Sequence, residues 1–322
     1  MSSQFIRKIN LVVFNSTEVL DLSEFRIVFQ VKAADVETPN NAAIRIYNLS
    51  QKTVQSVRQE FGQVTLSAGY ESGNYGIIFS GTIKQFRVGK DSATETFLDI
   101  LAADGDVGYN QGFVNTSLKS GATLQQTVNT LTAAMADPNV LNVVGGVKSS
   151  PKFDVLITKQ YIPAIRGQVL FGMAKARMRN IAATLDASWS IQNGQVTFIS
   201  REGYLPGQII DINVGNGMVG MPTQTDDGIQ VQCLINPAIQ VGQLVNLNSQ
   251  EIVSTSFQNT ATAPVPYNSR ASIQNLAPLS GKGGYYRVYV VEHEGDSRGN
   301  PWYTNLICLA VDLSSKTVVS GA

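Results

Sequence analysis

The chain has 322 residues, with 24 Lys plus Arg matched by 24 Asp plus Glu, and only 15% of its residues are charged, against roughly 25% in an average soluble protein. That length supports a large core divided into two or three domains, and the aliphatic and aromatic content excludes disorder. Zero net charge argues against a general nucleic-acid binder, and no apolar run approaches the roughly 20 residues of a membrane-spanning helix.

In chain order, the first hundred residues read as strands. Phe5–Phe14 and Phe25–Val31 are apolar runs, and Ala42–Tyr47 alternates Ile44 and Ile46 with Arg45 and Tyr47, the period of a half-buried strand. Ser50 is placed to cap a helix over Gln51–Glu60. Val64–Tyr70 and Ile77–Arg87 flank the Gly-containing turn Glu71–Gly76 as a hairpin, and Phe97–Ala102 closes the region. Short strands with turn signals and one small helix predict a barrel or sandwich.

After Asp104-Gly105-Asp106 the pattern changes. Ser120 is the expected cap of a helix carrying Leu124, Val128 and Leu131. A second helix is predicted over Gln168–Ala187, with Arg177 inside its apolar arc, where it must snorkel or be paired. Asn193-Gly194 between Trp189–Ile191 and Val196–Ile199 is a strong hairpin signal. Beyond Gly203 the strand candidates are Gly207–Val214, Gln230–Leu234 and Gln243–Leu247; Thr255–Gln274 reads as a long loop or arm. Tyr285–Glu292 and Trp302–Ala310 are expected to pair across Gly295–Pro301, and the tail Leu313–Ala322 has no clear pattern.

Charge is unevenly spread: residues 1–105 carry net −1, residues 106–205 net +4 and residues 206–322 net −3. From Asn213 to Ser269 the only charges are Asp226, Asp227 and Glu251. An enclosed β-core would also lack charge, but the loops of this stretch lack it too, and loops normally face water. Contact with other chains is therefore favoured, with Met218, Met221, Pro222, Leu234, Ile235 and Pro237 as candidate subunit-interface residues. A charge-poor surface also repels its own copies weakly.

Chemistry-bearing patterns are sparse. His293 is the single histidine, so no multi-imidazole metal site can form within one chain. No G-x-S-x-G elbow is present; His293, between Glu292 and Glu294, reads as solvated and structural. The acidic groups Asp104/Asp106, Asp226/Asp227 and Glu292/Glu294/Asp296 lie beside Gly in turns. Such placement is commoner in turn chemistry than in glycosidase pairs. No phosphate-binding loop or EF-hand occurs, and Gly281-Lys282-Gly283-Gly284 reads as a turn. Cys233 and Cys308, without CxxC or metal spacing, are expected as reduced, buried thiols. Trp189 and Trp302 are expected in the core. After Arg7 and Lys8 the apolar run Leu11–Phe14 is too short for a signal peptide, so folding in a cytoplasm is expected. No cofactor, metal or catalytic residue is assigned.

Four stretches together resemble baseplate hub proteins of contractile-tailed bacteriophages. They are Asn41–Ser50, reading NAAIRIYNLS; Gly69-Tyr70 with Ile77–Ile83, IIFSGTI; Gly217–Pro222 leading to Cys233–Pro237; and Tyr286–Glu294 followed by Gly295-Asp296-Ser297-Arg298-Gly299 and Trp302-Tyr303-Thr304. The predicted helix before WSIQNGQVTFIS is similar as well. The resemblance implies an α+β, mainly β fold: two tail-tube-like β-barrel domains, residues 1–105 and 205–322, with a small α/β domain, 106–204, inserted between them and strands exchanged between regions. It implies a homotrimeric ring, a symmetry adapter between the sixfold tail tube and a trimeric spike, touching other baseplate proteins. Genomic DNA would pass through its channel without specific binding, and the slightly acidic second region fits such a lining. The spike and any wall-degrading enzyme are expected as separate chains. Two alternatives stay open: a carboxylate-dependent cell-wall-degrading tail enzyme, and the hub of a phage-derived injection machine such as a tailocin or secretion system.

Overall fold

Alternating apolar and polar residues make most of this chain β-structure. The computed structural model describes residues 4–136, 147–157, 164–201, 203–225, 228–247, 253–254 and 284–311. The N-terminal elements are β1 Arg7–Phe14, β2 Val19–Asp21, β3 Ile27–Ala34, β4 Asn40–Tyr47, α1 Gln51–Glu60, β5 Gln63–Tyr70, β6 Tyr75–Lys90 and β7 Thr96–Asp104. Next come α2 Asp106–Gln111, β8 Phe113–Leu118, α3 Leu124–Met135, β9 Val147–Ser149, α4 Pro151–Val155, β10 Gln168–Met173, α5 Ala174–Thr184, β11 Ala187–Gln192 and β12 Gln195–Ser200. The last are β13 Ile210–Ile212, β14 Met218–Thr225, β15 Gly228–Leu234, β16 Leu244–Leu247, β17 Val253–Ser254, β18 Gly284–Asp296 and β19 Trp302–Ala310.

Local signals act where they were expected to. Asn48 takes a left-handed backbone (φ 58°) at the end of β4, and Ser50 Oγ accepts the Thr53 amide at 3.1 Å to start α1. Asn193 and Gly194, with φ of 50° and 71°, form the tight turn of the β11–β12 hairpin.

Two helical readings need correction. Thr123, not Ser120, caps α3: its hydroxyl accepts the Gln126 amide while the Gln126 side chain accepts the Thr123 amide. This reciprocal box displaces the start beyond Gly121, whose φ is 85°. The helix predicted over Gln168–Ala187 is only α5; Gln168–Met173 is a strand paired antiparallel with β8. Leu170 points inward while Val169 and Phe171 point out, an alternation that a helical wheel disguises. Arg177 lies exposed on α5. Likewise only Ile210–Ile212 of Gly207–Val214 is strand, and Val214–Asn216 is a 3-10 turn capped by Asn213. Thr255–Gln274 and Leu313–Ala322 lie outside the described residues.

Fourteen strands join one hydrogen-bonded sheet. The long β6 pairs its first half with β5 and its second with β7, shifting register between Leu66 and Ser67 and between Ile83 and Gln85. Strand β18 joins the two β-rich regions. Its Gly284–Arg287 segment pairs with β16, its Val290–Asp296 segment pairs with β3, and β19 runs along its other side. Three apolar cores follow: one under β1–β7, one within residues 109–198, and one among β13–β19. The first core also contains Ile235 and Trp302 from the C-terminal region.

The middle unit docks on the sheet through buried polar groups. Asn40 Nδ2 donates to Gln192 Oε1 at 2.8 Å and to the Ile191 carbonyl at 3.3 Å. Gln192 Nε2 donates to the Ala34 carbonyl at 2.8 Å, and Ser188 Oγ to Asp35 Oδ2 at 2.7 Å. Arg287 Nη1 reaches the carbonyls of Ser200 and Gly203, each at 3.1 Å. Asp104 accepts the Gly194 amide at 3.2 Å. Burial pushes the Asp104 carboxyl up to about 7, against bonds from Asn193, Gly194 and Asn40 that favour the anion; burial raises Asp35 too.

Two predictions follow from this arrangement. Between about pH 4 and pH 7, folded Asp104 keeps a proton that the unfolded chain has lost, so its contribution to stability falls as pH rises through that window. Asp104→Asn is expected to be more stable than the parent at pH 8, by a few kcal/mol at most, with the difference shrinking toward pH 4; denaturant melts across pH measure it. Trp302→Ala, which empties a site 1% exposed, is expected to cost about 3–5 kcal/mol in the same melts.

Candidate assembly interface

Strand alternation decides which side chains of the C-terminal region stay free. Gly217 (φ 96°) ends the 3-10 turn before β14, and a register shift in the β14–β15 pairing between Val219 and Thr223 spans Gly220. Met218 is 8% exposed and packs in the third core. Pro222 is buried, whereas Met221 is 67% exposed. Ile235 lies in the first core, with Leu234 half-buried against it. Pro237 lies over Gly76 in the other β-rich region, where an added Cβ would stand 3.4 Å from its ring. Much of the apolar surface at Met218, Pro222, Leu234, Ile235 and Pro237 is therefore covered by the chain itself. Asp226, Asp227 and Glu251 lie outside the described residues.

The phrase from His293 to Thr304 works as a fastening. His293 Nδ1 and Thr304 Oγ1 lie 2.9 Å apart in a hydrogen bond, and Thr304 Oγ1 also accepts the Asn236 amide at 3.1 Å. The expectation of a solvated His293 is corrected: the ring is buried, and burial pulls its pKa down to about 4. The alternation of β18 sends Glu292 and Glu294 out and His293 in, a period-2 signal present in the sequence. Gly295 leaves room for the rings of Phe29 and Trp302, which meet edge to face at 5.6 Å.

Asp296 pairs with Arg26 at 2.8 Å and accepts the Arg298 amide at 2.9 Å. Burial opposes its charge, but Arg26 and the amides of Arg298 and Gly299 outweigh it and hold the carboxyl below its ordinary range. Arg7, from β1, donates to the carbonyls of Asp296, Gly299 and Asn300 and covers the Trp302 ring. Sequence reasoning missed Arg7 and Arg26, because their partners lie some 270–290 residues away.

The described acidic groups are likewise engaged. Asp106 pairs with Lys84, Glu292 accepts from Gln30, and Glu294 accepts from Asn305 at 3.2 Å. Cys233 and Cys308 are free and buried; burial pushes the Cys233 thiol up to about 12 and raises Cys308 as well. Among the described residues no group of three or more His, Cys, Asp or Glu could hold a metal ion, and no helix is long and apolar enough to cross a membrane.

The outward face of the sheet runs unbroken from the C-terminal region to the N-terminal one. Amide and charged side chains bond to one another along it: Gln232 donates to Asn305 at 2.9 Å, and Arg45 holds Asp99 in a two-pronged contact at 2.7 and 3.0 Å. A concavity of about 690 Å3 on this face is lined in part by Arg45, Arg87, Asp99, Leu101 and Glu294. Cations and carboxylates alternate, so the face carries no strong field of one sign.

A sequence model of the family described as Baseplate hub gp41 matches residues 8–252. No curated protein matches by sequence. Among solved structures, a tail protein from Neisseria meningitidis MC58 superposes with a TM-score of 0.54 at 9% identity, covering 94% of this chain and 96% of that one. The 43 kDa tail protein of prophage MuSo2 from Shewanella oneidensis gives 0.55 at 6% identity, covering 94% and 98%. The E. coli c3393 protein, described as a type VI secretion component resembling bacteriophage T4 tail proteins gp27 and gp5, gives 0.50 at 9% identity, covering 96% and 78%. At these identities the likeness is one of fold.

Replacing Ile235, which is wholly buried, by Ala is expected to cost about 2–5 kcal/mol. Met221→Ser is expected to leave the unfolding free energy of the isolated chain within about 0.5 kcal/mol. Denaturant titration of both variants checks the pair.

Proposed function

The chain belongs to the baseplate hub gp41 family and is a structural component of a phage tail baseplate, and on that premise we propose that it works as a homotrimeric ring adapting the tail tube to a spike. In this reading residues 1–105 and 205–322 form the two tube-like halves of each subunit and 106–204 the insertion. Three chains then present six similar units to a sixfold tube and three equivalent ones to a trimeric spike. The observation that carries the reading is the single sheet, in which β18 joins both β-rich regions side by side.

The role of DNA conduit draws support from the outward sheet face. Several of its side chains are bonded to one another and it carries charges of both signs, so a passing polyanion meets neither a cationic trap nor a strong repulsive field. The ring is proposed to assemble in the host cytoplasm before joining the tail. A hub of a tailocin or secretion system would use the same mechanics, and the c3393 likeness in fold keeps that second reading in view.

Light scattering of the purified full chain with tube and spike proteins is expected to show a particle containing three 34.7 kDa copies. A chain that stays single in that mixture overturns the ring. Duplex DNA is expected to show no retention by the trimer at physiological salt. A zymogram on host cell wall is expected to show no clearing; clearing lost in Glu292→Ala would establish a cell-wall enzyme instead.

A further inference from the structure

The insertion keeps its apolar residues to itself. Among the described residues, the second core draws every buried member from residues 109–198, and the other two cores draw none from that span. Across the seam, Ile199 supplies an apolar contact, its Cδ1 occupying the space that a Cβ on Gly242 would need. Beside it a cleft of about 40 Å3 separates Lys148, Asn193 and Thr197 of the insertion from Ile78, Pro237 and His293 of the β-rich regions. The chain crosses the seam at Asp104-Gly105 and between Ser200 and Gly203, and polar groups meet at both places.

The buried charges of this seam do not balance. Asp35 is 4% exposed, and Asp104 and Arg287 are each 6% exposed. Arg287 acts on Asp35, whose Oδ1 has no hydrogen-bond partner among the described residues. The groups bonded to Asp104 are neutral: the amides of Asn193 and Gly194 and the side chain of Asn40. The Tyr109 phenol faces the same carboxyl and is kept neutral by burial. At the rim, Lys84 pairs with Asp106 and Arg179 with Glu37, so those charges cancel. One buried guanidinium therefore stands against two buried carboxyls. A closed seam matches one carboxylate; a second is an unpaired buried charge, which is costly. An open seam hydrates both.

From this cluster we propose that the insertion, residues 106–200, opens from the sheet as one body, and that Asp35 and Asp104 are its latch: protonated they hold it shut, ionised they release it. Burial raises both carboxyls. In the closed state Asp104 keeps its proton up to about pH 7, whereas in the open state it loses it near its ordinary value of about 4. Closure is therefore strongest below about pH 4, and the ratio of open to closed chains rises up to about tenfold per pH unit until about pH 7. Asp35 acts in the same direction.

The test uses the full chain with spin labels at Val169→Cys on the insertion and Val88→Cys on β6, both exposed sites; the native cysteines are buried. Labelled chain is diluted into unlabelled chain, so that distances are read within one copy. Double electron–electron resonance is expected to give one main distance at pH 5 and a second distance at pH 8.5. The variant joining Asp35→Asn with Asp104→Asn is expected to keep the first distance at both pH values. Hydrogen exchange, corrected for its intrinsic pH dependence, is expected to quicken at pH 8.5 for the Gly194 amide, which Asp104 holds, while amides of α3 and of the β3–β4 pair stay protected.

A parent with the same single distance at both pH values overturns the latch. A second distance that persists undiminished in the double Asn variant overturns the role of the two carboxyls. Exchange that quickens through α3 or β3–β4 together with Gly194 is melting, and overturns opening as one body. If circular dichroism shows that the double variant has lost its fold, Asp104→Asn and Asp35→Asn are measured singly, and a pH response as large as the parent's in both overturns the latch.

Discussion

Strand β18 is the constraint on which the rest of the β-structure depends. Both its edges are occupied along most of its length, by β19 on one side and by β16 and then β3 on the other. The change of partner coincides with a register shift between Val288 and Val290, where an irregularity lets a strand bend and twist. Without β18, both β3 and β19 would present open backbone edges, which invite pairing with other chains. Strands whose paired residues lie 256 to 268 positions apart in sequence therefore share one ladder.

The fastening at the end of β18 fixes the angle of that junction. Trp302 fills the first core from the C-terminal side, Gly295 makes space for its contact with Phe29, and Arg7 on β1 and Arg26 just before β3 hold the turn at Asp296. A buried ring and partly buried charge-assisted bonds are strong and directional together. They suit a part whose work is to hold two β-rich regions at a set position.

The insertion is joined by different physics. It owns a separate apolar core, and its contact with the sheet runs through Asn40, Asp35, Asp104, Gln192 and Arg287. Buried polar contacts are specific in geometry and costly when left unmatched, so they fix one docking orientation. Their cost is visible in the raised carboxyl groups of Asp104 and Asp35.

Sequence by itself determined the elements whose causes are local. The Ser50 cap, the Asn193-Gly194 turn, the mainly β character and the hairpin ending in Trp302–Ala310 all depend on residues within a few positions of one another. The alternation of β18 also carried the inward place of His293, and reading the acidic neighbours as solvent signals obscured it. Tertiary structure decided the rest. Gln168–Met173 is a strand because β8 lies beside it, Ile235 belongs to the first core because β18 brings the two regions together, and Arg7 finds its carbonyl partners only after the chain has closed. Alternation puts Met218 and Met221, three residues apart on β14, on opposite faces, but packing against the third core decides that the face of Met218 is the covered one. Periodicity reports how a segment meets its own neighbours in sequence; the partner that covers a face is set by long-range pairing, which no window of sequence contains.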